Sequence, residues 1–364
     1  MNLITDWFRR HLSDPQVVVL VALLLVGSLV IIFLGHMLAP LLAAVVIAYL
    51  LQGLINVLKR WKIPHLAAIL LVFVGFMAFL LFLLIGLLPL LWEQLRQLFQ
   101  QLPEMISWGQ EELLRLPERY PDLVSEDRIT AITDVLRAEL TKKAQQILSL
   151  SVASVRALIW VLVYTFLVPL LVFFFLKDKD RLLCWGSSFL PKDRSLATQV
   201  WKEVDQQIGN YVRGKFWEIL IVWTASYITF AFLGLQFSML ISFFVGLSVV
   251  IPYIGATVMT LPVALIAYFQ WGMESEFAYA VGAYLIIQLL DGNVLVTLLF
   301  SEVVNIHPVA IIAAILVFGG MFGFWGVFFA IPLATLVQAI IKAWFARNSS
   351  LASADEDTET APAG

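Results

Sequence analysis

The chain has 364 residues, of which 61% are hydrophobic and only 13% charged, and its mean hydropathy is +0.91. Ordinary soluble domains run near ~45–50% apolar and ~25% charged, so the composition excludes most soluble enzyme folds and points to an integral membrane protein. A net charge of -3 gives no basis for binding nucleic acid, and a single cysteine, Cys184, excludes a disulfide framework, an iron–sulfur site or a thiolate zinc site built within one chain.

In chain order, the first apolar run is Gln16–Leu34. Trp7-Phe8-Arg9-Arg10 ahead of it looks like the basic region of a signal peptide. The run is too long for a signal core and no small-x-small pattern follows, so it reads as a retained span. Met37–Leu58 and Leu66–Trp92 are the second and third spans, completing three membrane helices over 1–92. Residues 93–154 form an extracytoplasmic amphipathic segment. Leu91, Leu95, Leu98 and Leu102 follow helical spacing, and Pro103 and Pro117 punctuate. Ser125 can cap a second helix there, with the apolar stripe Ile129, Ile132, Leu136, Leu140 and Ile147. This segment either packs on itself or contacts a neighbouring subunit, and spacing does not choose between them. A fourth span covers 155–176, with Pro169 inside it. Residues 177–215 carry an interfacial helix in which Leu196, Val200, Val204, Ile208 and Val212 recur every four positions. Residues 216–345 form the core region, and 346–364 a disordered acidic tail.

Basic residues set the topology. Arg9 and Arg10, then Lys59, Arg60 and Lys62, then the eight between Lys177 and Lys215, then Lys342 and Arg347 all fall on one side if spans alternate. That side is assigned to the cytoplasm, with both termini, and the 93–154 segment to the opposite side.

The core region is unusual: Phe216–Ile341 holds not one Lys or Arg in 126 residues. Trp217–Leu235 and Phe277–Phe300 are long enough to span. Between them lie Phe237–Ile251 and Ile254–Trp271, joined at Pro252-Tyr253. After them lie Ile306–Phe318 and Phe324–Ile341, joined by Gly319-Gly320-Met321-Phe322-Gly323. The shorter runs reach only about 20–23 Å at ~1.5 Å per residue, short of a ~30 Å hydrocarbon core. Paired short, Gly/Pro-interrupted segments in matching halves point to a transporter site. Two models stand open: six spans plus two re-entrant hairpins forming an inverted repeat, or ten full spans.

One ionisable group stands out. Asp291 lies midway along Phe277–Phe300, preceded by Gln288 and followed by Gly292-Asn293. An acid at that depth costs a few kcal/mol and ordinarily faces a cavity or a partner. Gly292 can let the helix unwind. Candidate partners for Asp291 are Asn293, Gln288, Tyr253, a basic group from an earlier segment, or a bound ion; a structural Asp at a helix break is the plainer alternative. Pro252, Tyr253, Gly255, Gly320 and Gly323 are the candidate tip residues, and Arg213, Glu302 and His307 possible secondary ones. Gly209–Lys215 fits part of a P-loop, but Phe216 replaces the magnesium-binding hydroxyl and a helix precedes it instead of a strand. The histidines at 11, 36, 65 and 307 form no metal spacing, and HExxH and GxSxG are absent. No cofactor and no enzyme activity are expected.

An ordered set of motifs carries a resemblance: Tyr211-Val212-Arg213-Gly214, Ile251-Pro252-Tyr253-Ile254-Gly255, Gln288 with Asp291-Gly292-Asn293, His307-Pro308, Gly319–Gly323 with Gly326, and Ala330-Ile331-Pro332. In order and spacing this set resembles the autoinducer-2 exporter (AI-2E) family of bacterial membrane proteins. Thr297, where relatives often carry Pro, and Gln338, where a basic residue is frequent, depart from its pattern. The resemblance implies an all-α polytopic protein of about eight membrane segments in the bacterial inner membrane, homo-oligomeric, transporting a small molecule or ion. Export of autoinducer-2 is attributed to some members and sodium–proton antiport to others. The expectation is therefore an ion- or proton-coupled secondary transporter with its site between the two hairpins near Asp291. A sodium–proton antiporter, a passive channel and a non-transporting scaffold are the alternatives. The expected partners are the lipid bilayer, the solute and further copies of the chain.

Overall fold

The computed structural model describes residues 15–114, 134–135, 138, 142, 155–188, 195–300 and 307–338. The expected capped helix from Ser125, the residue Glu302 and the acidic tail lie outside the described residues. Among the described residues the chain is helical, with no strand. In chain order the helices are α1 (Pro15–Arg60), α2 (His65–Phe82), α3 (Leu88–Leu114), α4 (Val155–Lys177), α5 (Lys179–Ser187), α6 (Ser195–Leu233), α7 (Ser238–Ser248), α8 (Ile254–Trp271), α9 (Ser275–Leu290), α10 (Val296–Phe300) and α11 (Pro308–Phe328). A last helical stretch covers 330–338. Two π-helical turns, Leu83–Leu87 and Asp291–Leu295, interrupt the α2–α3 and α9–α10 runs. Among the described residues, six stretches are long and apolar enough to cross a bilayer: Met37–Arg60, His65–Glu111, Val204–Leu233, Ile254–Trp271, Ser275–Phe300 and Val309–Phe328.

Three junctions differ from the sequence reading. The first two expected spans are one unbroken helix, α1, of 46 residues. Such a helix rises about 69 Å, more than twice a ~30 Å hydrocarbon core, so two separate crossings require a break near Gly35 that the backbone does not make. Its internal Pro40 is buried and tolerated. Second, the interfacial helix and the span after it are continuous as the 39-residue α6. Third, the third span runs through the Leu83–Leu87 turn directly into the amphipathic segment as α3. In each case the helix-weakening residues, Gly35 and Pro40 at the first junction, Gly214 at the second, Gly86 and Pro89 at the third, are carried inside continuous helical backbone. By contrast, α1 ends cleanly. Lys62 adopts φ +63°, the Lys62 and Ile63 amides bond back to Lys59 and Leu58, and Pro64 follows.

The described chain groups into two units. The first comprises Met1–Phe73, Leu167–Glu218 and Gly292–Gly364. In it α6 is tied to α1 at two places. The Tyr49 hydroxyl donates to Asp205, and the Arg213 stem lies over Gly53, where a side chain's first carbon would come within 2.9 Å of it. Phe73 of α2 meets Phe173 of α4 edge-to-face at 5.3 Å. The short α5, not anticipated from the sequence, buries none of its residues.

The second unit comprises Val74–Phe166 and Ile219–Asp291. Here α7 and α8 form a hairpin. Helix α7 has 11 residues and rises about 16 Å, roughly half a ~30 Å hydrocarbon core. Its Gly246 lies directly on α6, where an added carbon would stand 2.6 Å from Trp223 Cβ and 2.9 Å from the Ile219 carbonyl. The open end of the hairpin is closed by Gln270, near the C-terminus of α8. Its Nε2 donates to the Gly234 carbonyl at 2.8 Å and its Oε1 accepts from the Gln236 amide at 2.7 Å. The C-terminal end of α8 is thereby fixed beside the turn that leads into α7.

Candidate functional site

Gln288, Asp291, Gly292 and Asn293 share one short stretch. Helix α9 stops at Leu290, and Asp291–Leu295 widens into a π-helical turn instead of unwinding. Turns of this kind insert one extra residue into a helix and recur at functional sites. Asp291 is buried, 7% exposed. The Nε2 of Gln288 is buried without a hydrogen-bond partner, while Gly292 and Asn293 are exposed. Thr297, at the position where a proline was the common alternative, donates its hydroxyl to the Asn293 carbonyl at 2.7 Å. A proline there would remove the 297 amide instead, so the irregularity of this helix sits in the π-turn rather than at a proline.

The first hairpin tip gathers Pro252, Tyr253 and Gly255. Tyr253 has φ +63° and ψ -46°, and the Ile254 amide bonds the Pro252 carbonyl two residues back at 2.7 Å. This is a γ-turn of the rare positive-φ form, strained for a residue with a side chain. The Tyr253 side chain is 55% exposed. Gly255 allows the closure, since an added carbon would fall 1.8 Å from the Ser248 carbonyl oxygen.

The second tip holds Gly320 and Gly323. Gly323 has φ +61° and ψ -138°, a conformation open mainly to glycine, and it divides α11 into two limbs. Closure follows the same pattern as at the first tip. An added carbon on Gly326 would fall 1.8 Å from the Phe318 carbonyl oxygen. Gly320 is exposed, with open space beside it.

The secondary candidates have local roles. Arg213 donates to Asn210 Oδ1 at 2.8 Å and folds back over Gly209. His307 caps α11, its Nδ1 accepting from the Val309 amide at 3.3 Å, with Pro308 in the first helical position.

Two features of the first unit escaped the sequence reading. Lys215, the last base before the stretch without Lys or Arg, pairs with Glu218 at 2.7 Å, with side chains 3% and 2% exposed. Phe300 lies beneath its ammonium at 5.4 Å. The i, i+3 spacing was the available signal, but nothing in it told burial from exposure. The second feature is Tyr211, 1% exposed, whose hydroxyl donates to the Phe328 carbonyl at 2.9 Å. Pro332, four residues on, has no amide to offer that carbonyl, so the freed acceptor is taken by α6.

In the second unit a cavity of about 580 Å³ opens between Ile228–Leu233 of α6 and Ala278–Ile286 of α9. Its walls are apolar, and none of the candidate site residues lines it. No cluster of metal-ligating side chains occurs among the described residues.

Comparison with known proteins bears on this arrangement. The chain is 44% identical over 350 residues to the Escherichia coli (strain K12) protein named "Putative permease PerM", covering 94% of this chain and 98% of that one. It is 25% identical over 320 residues to the Bacillus subtilis (strain 168) protein named "Putative transport protein YueF", covering 86% and 85%. Residues 19–346 match the model of the AI-2E family transporters. With that match running over both hairpins and the Asp291 turn, the chain belongs to the AI-2E transporter family.

Proposed function

We propose that this protein is a secondary transporter that moves a small solute outward across the bacterial inner membrane, coupled to an ion or proton gradient, with Asp291 at its coupling centre. A signalling molecule such as autoinducer-2 is the candidate solute. The observation that carries the proposal is one buried carboxylate at a π-helical turn, inside a stretch of 126 residues without Lys or Arg. A carboxyl group can hold either a proton or a cation, so proton release and cation or solute binding compete at one group. Gly292, next in the turn, has open space where a side chain would stand. Gln288 and Asn293, in the same short stretch, carry neutral polar groups that are unaffected by the protonation state of Asp291.

The transport path includes the two hairpins, taken as re-entrant and related as an inverted repeat. Support comes from the shortness of α7, from the Gln270 clamp that joins both limbs of the first hairpin at one end, and from the shared closure of a carbonyl onto Gly255 or Gly326. Half-helix ends at such tips present free backbone groups to a solute. The C-terminus and residues 177–215 face the cytoplasm, α3 beyond Glu93 faces outward, and several copies assemble; the continuity of α1 removes one of the two crossings that would bring the N-terminus to the same side.

The test is flux in proteoliposomes. Wild-type protein should carry autoinducer-2 or sodium uphill, driven by an imposed proton gradient. Asp291→Asn should fold and assemble but lose gradient dependence. Normal coupled flux by the Asn variant at wild-type abundance assigns Asp291 a structural role.

A further inference from the structure

Helix α7 starts with an unsolved hydrogen-bonding problem. The first amides of any helix lack an internal acceptor and are ordinarily served by Ser, Thr, Asp or Asn at the preceding position. Here that position is Phe237, at φ +55°, and it supplies no side-chain cap. A free amide in a lipid-embedded helix costs several kcal/mol unless something satisfies it.

The acceptor comes from 146 residues away. Gln94 Oε1 on α3 accepts from the Leu240 amide at 2.8 Å. Fourteen residues further along α3, about 21 Å by helical rise, Trp108 packs edge-to-face on Tyr268 at 5.1 Å and on Phe269 at 5.4 Å. Those rings belong to the last turn of α8, beside Gln270, which binds the turn ahead of α7. The polar half of α3 therefore lies across the open ends of both limbs of the hairpin, touching one with Gln94 and the other with Trp108. Around Gln94 the α3 surface is polar: Glu93 and Arg96 form an exposed ion pair at 2.8 Å, and Gln97 donates to Glu93. The same helix leads back to the π-helical turn Leu83–Leu87, a place where a helix yields.

We infer that Gln94 is a positioning residue of the transport path: it caps α7 in trans and latches the polar half of α3 across the open end of the α7–α8 hairpin, with Trp108 as the second latch. The assignment rests on the proposed role of the hairpin in transport. Its consequence is that α3 must release α7 before that end of the hairpin is open to the outside. A short amide side chain suits a latch better than a carboxylate, because it bonds the amide without bringing a charge to the lipid boundary.

The experiment uses the full chain in nanodiscs, with hydrogen exchange of peptides covering 236–243 and 266–272. Gln94→Leu removes the acceptor, while Gln94→Glu keeps one. Loss of a single bond worth about 1 kcal/mol corresponds to roughly 5-fold faster exchange in the first turn of α7. Gln94→Leu should show that acceleration and Gln94→Glu should return to the wild-type rate. Trp108→Ala should accelerate the end of α8, and Trp108→Phe should restore it, which keeps the test open if one Gln94 variant fails to fold. In proteoliposomes both loosened variants should alter gradient-driven flux of whichever probe, autoinducer-2 or sodium, the wild type carries. Unchanged exchange in Gln94→Leu, or equal acceleration in Gln94→Glu, overturns the latch. Faster exchange with unaltered flux overturns its part in transport. Absence of flux in the wild type itself counts against the transporter proposal and leaves the exchange result to decide the latch.

Discussion

Replacing Lys215 by Met leaves Glu218 buried opposite an apolar side chain. At 2.7 Å the Coulomb attraction within the pair is about 6 kcal/mol at an effective dielectric near 20. Dehydrating the two ions costs several kcal/mol each, so the intact pair adds little net stability. The cation over the Phe300 ring contributes roughly 0.5–2 kcal/mol more. Removing one partner is a different matter, since the survivor keeps its desolvation cost and loses its compensation, an effect of about 3–5 kcal/mol. Lys215→Met and Glu218→Leu should therefore each destabilise by about that amount, while the double variant should lie within roughly 1 kcal/mol of wild type. The coupling energy of the cycle is then at least ~5 kcal/mol. Denaturant titration in mild detergent, followed by the fluorescence of the 12 tryptophans, measures all four corners. Single variants that cost under about 1 kcal/mol and add in the double would refute the reasoning, because the two side chains would then behave as exposed ions.

A second cycle tests the Tyr211 latch: Tyr211→Phe should cost about 1–2 kcal/mol by orphaning the Phe328 carbonyl, and less than about 0.5 kcal/mol in a Pro332→Ala background, where the 332 amide can bond that carbonyl. Equal cost in both backgrounds, by the same titration, contradicts it. Gly255→Ala and Gly326→Ala should abolish or severely reduce folded protein in size-exclusion profiles, whereas Gly320→Ala should leave the profile unchanged, since only the first two place a carbon against backbone. For sidedness, with Cys184 replaced by Ser, a cysteine at Asp122 should label in intact cells with an impermeant reagent and one at Asp193 should not; the reverse pattern inverts the topology.

Much of the candidate site was legible because its signals are local. Asp291-Gly292-Asn293 stands out as the polar interruption of an apolar run, and the hairpin tips announce themselves by Pro252, Gly320 and Gly323. The type of irregularity at Asp291 was not legible: Gly292 permits both an unwound and a π-helical turn, and the chain adopts the second. Helix continuity at α1 and α6 was hidden for another reason. Hydropathy divides a chain by polarity, while the backbone divides only where hydrogen bonding fails over several residues; Pro40 removes a single bond from α1, and the helix continues through it. Nor does composition reveal the Gln94–Leu240 bond, whose partners are 146 residues apart. That bond could have been suspected only from the missing cap at Phe237, a question about unmet amides rather than about pattern.

Gradient-driven flux in proteoliposomes, measured side by side for the wild type and Asp291→Asn at matched abundance, tests the central claim most directly. A coupled transporter centred on Asp291 predicts uphill movement of autoinducer-2 or sodium that depends on the imposed proton gradient in the wild type and disappears in a folded, assembled Asn variant. Wild-type flux that only runs downhill, regardless of the gradient, contradicts coupling, and undiminished uphill flux in the Asn variant contradicts the assignment of Asp291.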